Sequence, residues 1–198
     1  MVSEGLEDYK SAQSFQDGDA ATTTARVQLK KWQKPDVNEV KANWDAATDM
    51  EAKRMGMGIV IRDEEGEVLV FICDVRKHVV DPALAESWAL WKALEICNEL
   101  ALSKVIFEGD AASVINRINK DVEDQSSMGH ILEDIKQFFK GKREWNVRFV
   151  PRDGNRVAHL LAKHALVLGE EKIWIEEGPY VICNAVLHDK NCNVLNDE

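Results

Sequence analysis

Lys104-Val105-Ile106-Phe107-Glu108-Gly109-Asp110-Ala111-Ala112-Ser113 is the stretch from which the rest of the chain is read. Val105, Ile106 and Phe107 form a continuous apolar run, the pattern of a short strand covered on both faces of a sheet. Gly109 is expected to loosen the backbone before a turn, and Ala-Ala-Ser-Val-Ile then starts a helical pattern. A strand that ends in a carboxylate and turns into a helix places that carboxylate where open α/β sheets place their ligands, outside the carboxyl ends of the strands. The competing reading makes Asp110 only the N-cap of the following helix. What decides between them lies upstream.

Val40-Lys41-Ala42-Asn43-Trp44-Asp45-Ala46-Ala47 reads as the first strand, with Asn43 and Asp45 on one face and Ala42, Trp44 and Ala46 on the other. An Asp inside such a strand is disfavoured by propensity and costly to bury without a partner, so it points either to function or to a strand end already in a polar loop. Gly56 to Asp63 is a second strand, Glu64-Glu65-Gly66 a hairpin turn, and Glu67 to Val75 a third strand antiparallel to it. Asp81-Pro82 opens a helix running to about Leu102, with Leu84, Trp88, Trp91, Leu94, Ile96 and Leu100 as its buried stripe. Glu86 shares a helical face with Ala89, Leu90 and Ala93, so it is either a buried acid or a favourable charge near a helix N-terminus. After the fourth strand come a helix from Ala111 to about Asn119, an acidic loop from Asp121 to Ser127 and a helix ending near Lys140. Glu144 to Val150 alternates as the last strand and is stopped by Pro151; Arg156 to Leu168 is an amphipathic helix with Val157, Leu160, Leu161, Ala165 and Leu168 inward.

Composition bounds the remaining choices. The 198 residues suit one domain with tails: a disordered leader over 1–29, a folded domain over 30–168 and a partly ordered tail over 169–198. No apolar run of membrane-spanning length and no apolar signal core at the start are present, so a soluble intracellular protein is expected, nuclear or cytoplasmic. Cys73, Cys97, Cys183 and Cys192 lack metal-binding spacing and read as reduced thiols, the first two buried. The net charge of −10 argues against a grip on nucleic acid by bulk attraction. Yet the segment from Met128 to Leu168 is locally basic, with eight Lys and Arg against four acids, which permits a phosphate-binding face.

The order of three antiparallel strands, helix, strand, two helices, strand, helix, with acids at Asp45, Glu86 and Asp110, resembles the ribonuclease H-like fold. It is similar to the reverse-transcriptase-like ribonuclease H domain of plant genomes and their non-LTR retroelements. The resemblance lies in Val40–Ala47, Gly58–Asp63, Ala85–Leu90, Val105–Asp110 and Val150–Ala158, and covers about Trp32 to Leu168. It implies an α/β domain with a five-stranded mixed sheet, the first three strands antiparallel, flanked by helices. It also implies an endoribonuclease that cleaves the RNA strand of RNA–DNA hybrids using two Mg²⁺ ions, with Mn²⁺ as the alternative. Asp45 and Asp110 would then bind metal from adjacent strands and Glu86 would complete the site, as hard oxygen ligands suited to Mg²⁺. The family's fourth acid falls in an Asn-Arg-Val-Ala-Asp pattern, where this chain has His159, a side chain able to ligate metal or act as general base. Asn43, Arg152, Asn155 and Arg156 are the expected contacts to nucleic acid. A monomer without membrane association is expected. The alternative function is a catalytically weak or inactive, retroelement-derived nucleic-acid-binding or interaction module.

Overall fold

The computed structural model describes residues 31–120 and 128–194. The expected leader over 1–29 and the acidic loop of Asp121 to Ser127 lie outside the described residues. Strands β1 (Val40–Asp49), β2 (Arg54–Arg62) and β3 (Val68–Lys77) form an antiparallel meander. Helix α1 (Pro82–Glu99) leads to β4 (Val105–Gly109), followed by α2 (Ala112–Ile118), α3 (Gly129–Lys140), β5 (Trp145–Phe149) and α4 (Arg156–Leu168). The chain then adds β6 (Lys172–Ile175) and α5 (Cys183–Val194).

The sheet therefore has six strands, in the order β5-β4-β1-β2-β3-β6, one more than expected. The extra strand comes from the tail: Lys172 to Ile175 is too short and too exposed to show an alternating pattern, and it becomes a strand by pairing antiparallel with Val70–Cys73 at the edge of β3. The expected hairpin turn after β2 is held by Asp63 Oδ1, which accepts from the backbone of Glu65 and Glu67, with Gly66 in the left-handed region at φ 79°.

Register assigns residues to faces. Cross-strand pairs Ala42–Ile61, Trp44–Ile59 and Ala46–Met57 share one face of the sheet, and this face packs against α1, α2 and α3 in the larger apolar cluster. The burying face of α1 is made of Ala85, Ala89, Leu90, Ala93, Leu94 and Cys97. This corrects the expected stripe: Leu84, Trp88 and Trp91 are half-buried at its flanks and Leu100 is exposed, because small residues let the helix approach the sheet closely. Asp81 caps α1 by accepting from Leu84 N at 2.8 Å, with Pro82 at the first helical position as expected.

The other face of the sheet lies beneath α4 and α5, around Val60, Phe71, Cys73, Val157, Leu161, Ala165 and Ile182. Leu160 and Leu168, expected inward, are half-buried at its margin, and Ala158 and Ala162 take the innermost places on α4. Gly58 makes this possible, since a Cβ there would lie 2.2 Å from the Ala158 carbonyl oxygen and from Ala162 N. Gly109 has the same kind of role. It was expected to free the backbone, but its φ is not in the left-handed region; a Cβ on it would instead meet the buried Trp44 indole at 2.5 Å. Cys73 and Cys97 are buried free thiols whose pKa values burial pushes up, and Cys183 is free and half-buried.

Candidate active site

The sheet face beneath α4 carries a row of buried polar groups where apolar residues would be the cheaper choice. Along β1, with a period of two, stand Lys41, Asn43 and Asp45, all essentially without solvent access. The antiparallel register places Arg62 of β2 opposite Lys41 and Gly58 opposite Asp45. The parallel register of β1 with β4 pairs Asn43 with Glu108. Two residues further on come Asp45, midway along β1, and Asp110, directly after the carboxyl end of β4.

Glu86 reaches the same point from the first turns of α1. It accepts a hydrogen bond from Ala46 N at 3.4 Å through Oε1, while its buried Oε2 has no hydrogen-bond partner. Ligand oxygens of Asp45, Glu86 and Asp110 all lie within 4.8 Å of one another. Burial, and then the charge of Glu86 and the proximity of Asp110, push the Asp45 pKa up to about 9. Burial, followed by the charge of Asp110, pushes Glu86 up to about 8. Three carboxyl groups this close cannot all carry their charge at neutral pH without a cation or shared protons. The donor set is entirely hard oxygen, and an orphaned buried carboxylate oxygen faces no protein donor; both features fit a divalent cation such as Mg²⁺.

Asp110 does not cap α2. The N-cap position is Ala111 and it makes no side-chain capping bond, so the competing reading of Asp110 fails on geometry. The 3₁₀ turn Arg152–Asn155 and α4 supply the rest of the site. His159 Nδ1 stands 2.8 Å from Asp45 Oδ2, a distance that requires a proton between them. Burial, then the positive charges of Arg152 and Lys163, hold the His159 pKa below its ordinary value. Arg152 is well exposed; its guanidinium lies 3.4 Å from Asp110 Oδ2 and 2.8 Å from the His159 ring nitrogens.

Asn155 and Asn43, expected as nucleic-acid contacts, lie inside the protein and are closed off from a large ligand. Asn155 Nδ2 donates to the Trp44 carbonyl at 2.8 Å and to Asp110 Oδ1 at 3.2 Å. Asn43 Nδ2 donates to Glu108 Oε2 at 3.3 Å and Asn155 Oδ1 at 3.4 Å; its own Oδ1 accepts from Trp32 Nε1 at 2.9 Å and Arg62 Nη2 at 3.2 Å. The physical reason is position along one face of β1: Asn43 points to the same side as Asp45 but lies two residues deeper, enclosed by Trp32, Arg62, Glu108 and Asn155. Arg152 and Arg156 are exposed at the rim.

Sequence reasoning did not single out Glu108, Lys41 or Arg62. Glu108 forms ion pairs with Lys41 at 3.2 Å and Arg148 at 2.7 Å, and Lys41 Nζ also donates to the Gln33 carbonyl. The available signal was local: a charged residue next to apolar neighbours in each of three strands, Lys41 between Val40 and Ala42, Arg62 after Ile61 and Glu108 after Phe107.

The profile of the reverse transcriptase-like family matches residues 43–165, a span that includes all four groups of the site. The chain belongs to the reverse transcriptase-like family. No curated protein matches this family member in sequence. Among solved structures it resembles RNase H1 from the halophilic archaeon Halobacterium salinarum, with 22% identity and a TM-score of 0.60 over 65% of this chain and 98% of that one. It resembles LC11-RNase H1, isolated from compost and solved in complex with an RNA/DNA hybrid, with 18% identity and a TM-score of 0.59 over 66% and 98% of the two chains. The foamy viral protease-reverse transcriptase is similar at 17% identity and a TM-score of 0.53, over 69% of this chain and 20% of that one. The reverse transcriptase-like chain thus has the ribonuclease H fold.

Proposed function

We propose that the protein is a metal-dependent endoribonuclease that cleaves the RNA strand of RNA–DNA hybrids. The observation that carries this reading is the convergence of Asp45, Glu86 and Asp110 within 4.8 Å, with Glu86 Oε2 buried and unpartnered. Asp45, Glu86 and Asp110 would hold the metal, two Mg²⁺ ions or Mn²⁺ in their place; such ions, when bound, activate water and neutralise charge building on a phosphoryl group. The chain's own contribution is placement. Ala46 N orients Glu86, Asn155 Nδ2 orients Asp110, and His159 Nδ1 shares a proton with Asp45 Oδ2. His159, kept neutral by burial and neighbouring cations, is able to accept a proton released on the hydrolytic side of the reaction. Arg152 is exposed, and its contact with Asp110 is a surface ion pair of little strength; by giving up that contact and the one with the His159 ring it would turn toward a phosphate.

A second reading, a nucleic-acid-binding module with little turnover, is favoured by one feature. His159 stands where the family resemblance places a fourth carboxylate. Cleavage of an end-labelled RNA–DNA hybrid in Mg²⁺ and in Mn²⁺ separates the two. The expected result is turnover in at least one metal that drops by at least about 100-fold in Asp110→Asn, the order of loss seen when an electrostatic catalytic group is removed. Equal cleavage by that variant would show the nuclease reading to be wrong, and tight hybrid binding without turnover would establish the binding module.

A further inference from the structure

Helix α5 sends one charged side chain into the protein. Asp189 is 2% exposed and its Oδ2 accepts from Arg62 Nη1 at 2.8 Å. Arg62 is itself fully enclosed between α5 and the sheet, with its guanidinium 3.7 Å from the Trp32 ring centroid. Its Nη2 donates to Asn43, and its buried Nε has no hydrogen-bond partner.

From Arg62 a continuous series of hydrogen bonds runs to the carboxylates. Asn43 takes the Arg62 and Trp32 donors on Oδ1, which forces its Nδ2 toward Glu108 and Asn155. Asn155 accepts on Oδ1, which forces its own Nδ2 toward the Trp44 carbonyl and Asp110 Oδ1. Each amide in the series is locked in one orientation by partners on both ends. We infer that Asp189 is a positioning residue for the carboxylate site, acting through Arg62, Asn43 and Asn155 on Asp110.

Without Asp189, the enclosed guanidinium has Glu108 as its remaining nearby anion. Glu108 is the group that accepts from Asn43 Nδ2 and pairs with Lys41 and Arg148. Arg62 moving toward Glu108 withdraws its bond from Asn43 Oδ1 and competes for the oxygen that holds Asn43 Nδ2. Asn43 then turns, Asn155 loses its acceptor-side partner, and Asp110 loses its only amide donor in the series. Outer partners that orient metal-binding side chains commonly change metal affinity or activity by about 10- to 100-fold. The inference rests on reading the three carboxylates as a metal-dependent active site. The structural link from Asp189 to Asn155 stands without that reading.

The test uses the full chain and the variant Asp189→Asn, read by the side-chain amide NMR signals of Asn155 and by hybrid cleavage in Mg²⁺ and Mn²⁺. The expected result is displaced Asn155 signals with faster hydrogen exchange, a kcat lower by about 10- to 100-fold and KM unchanged. If Asp189→Asn does not fold, the paired variant R62M/D189L removes both buried charges while keeping the space filled, and such swaps commonly preserve stability. A folded variant with the Asn155 signals of the wild type and unchanged kcat overturns the inference and leaves the ion pair as a simple buttress. If the wild-type chain turns over no hybrid in either metal, the proposed activity fails and the Asn155 signals alone decide the positioning link.

Discussion

Glu86 buries an oxygen that no protein donor meets, and Asp45 shares its proton with His159. Both acids have pKa values well above their ordinary values of 4.5 and 3.8, so between about pH 4 and pH 9 these two groups hold more protons in the folded chain than in the unfolded one. More protons bound in the folded state means that stability falls as pH rises. The melting temperature of the metal-free protein should therefore decline from pH 5 to pH 8.5, by about 2–4 °C for each kcal/mol lost in a chain of this size. Millimolar Mg²⁺ or Mn²⁺ should reverse the decline, most strongly at the alkaline end, and Asp110→Asn should flatten it. A melting temperature independent of pH and equal in wild type and Asp110→Asn would contradict the account. Kinetics test the fourth group: His159→Ala should lower turnover of the hybrid by about 100-fold, and His159→Asp should restore most of it. Full activity in His159→Ala would remove this residue from the mechanism.

The central element is a pair of parallel strands, β1 and β4, whose shared register delivers two acids to one edge, with α4 laid over the face beneath them. Two glycines set these distances. Gly58→Ala would drive a methyl group into the backbone of α4, which cannot retreat without moving His159, so a loss of about 3 kcal/mol is expected in urea unfolding. Gly109→Ala meets the Trp44 indole, which is fully buried and has no room to rotate, and should cost a similar amount. A midpoint unchanged in either variant would mean the helix or the indole is less tightly held than the contact distances imply. That glycines within strands mark a close approach is legible in the sequence. Which atoms approach depends on how α4 and β1 pack, and the expected loosening at Gly109 was wrong for that reason. Strand and helix boundaries were legible to within a few residues because caps, prolines and apolar period act within one or two turns of chain.

At the scale of the whole molecule, one face of the sheet is an ordinary apolar core, and the other, roofed by α4 and α5, joins a second apolar cluster to the buried polar row of Lys41, Asn43, Asp45 and Arg62. The chain after Gly169 belongs to that roof. Removing residues 170–198 would uncover Val68, Phe71 and Cys73 and leave Arg62 with no partner on α5. Leaving a buried charge unpaired costs about 3–5 kcal/mol, so the shortened chain should melt well below the full one and aggregate on size-exclusion chromatography. A truncated protein as stable and monodisperse as the full chain would show that Arg62 finds another partner.

The sequence by itself determined the order of elements as far as Leu168, the mixed sheet, and the placing of Asp45 within the first strand and Asp110 at the end of the fourth, with Glu86 one turn into a helix. Those features follow from period, propensity and capping, which are local. Only the tertiary structure decided what those acids meet. The pairing of His159 with Asp45 joins positions 114 residues apart, and that of Arg62 with Asp189 joins positions 127 residues apart. Neither bond leaves a trace in the local pattern of either partner. Whether an Asp is a solvated tail charge or the buried end of a network depends on which surface its helix covers, and that is set by the packing of the whole chain.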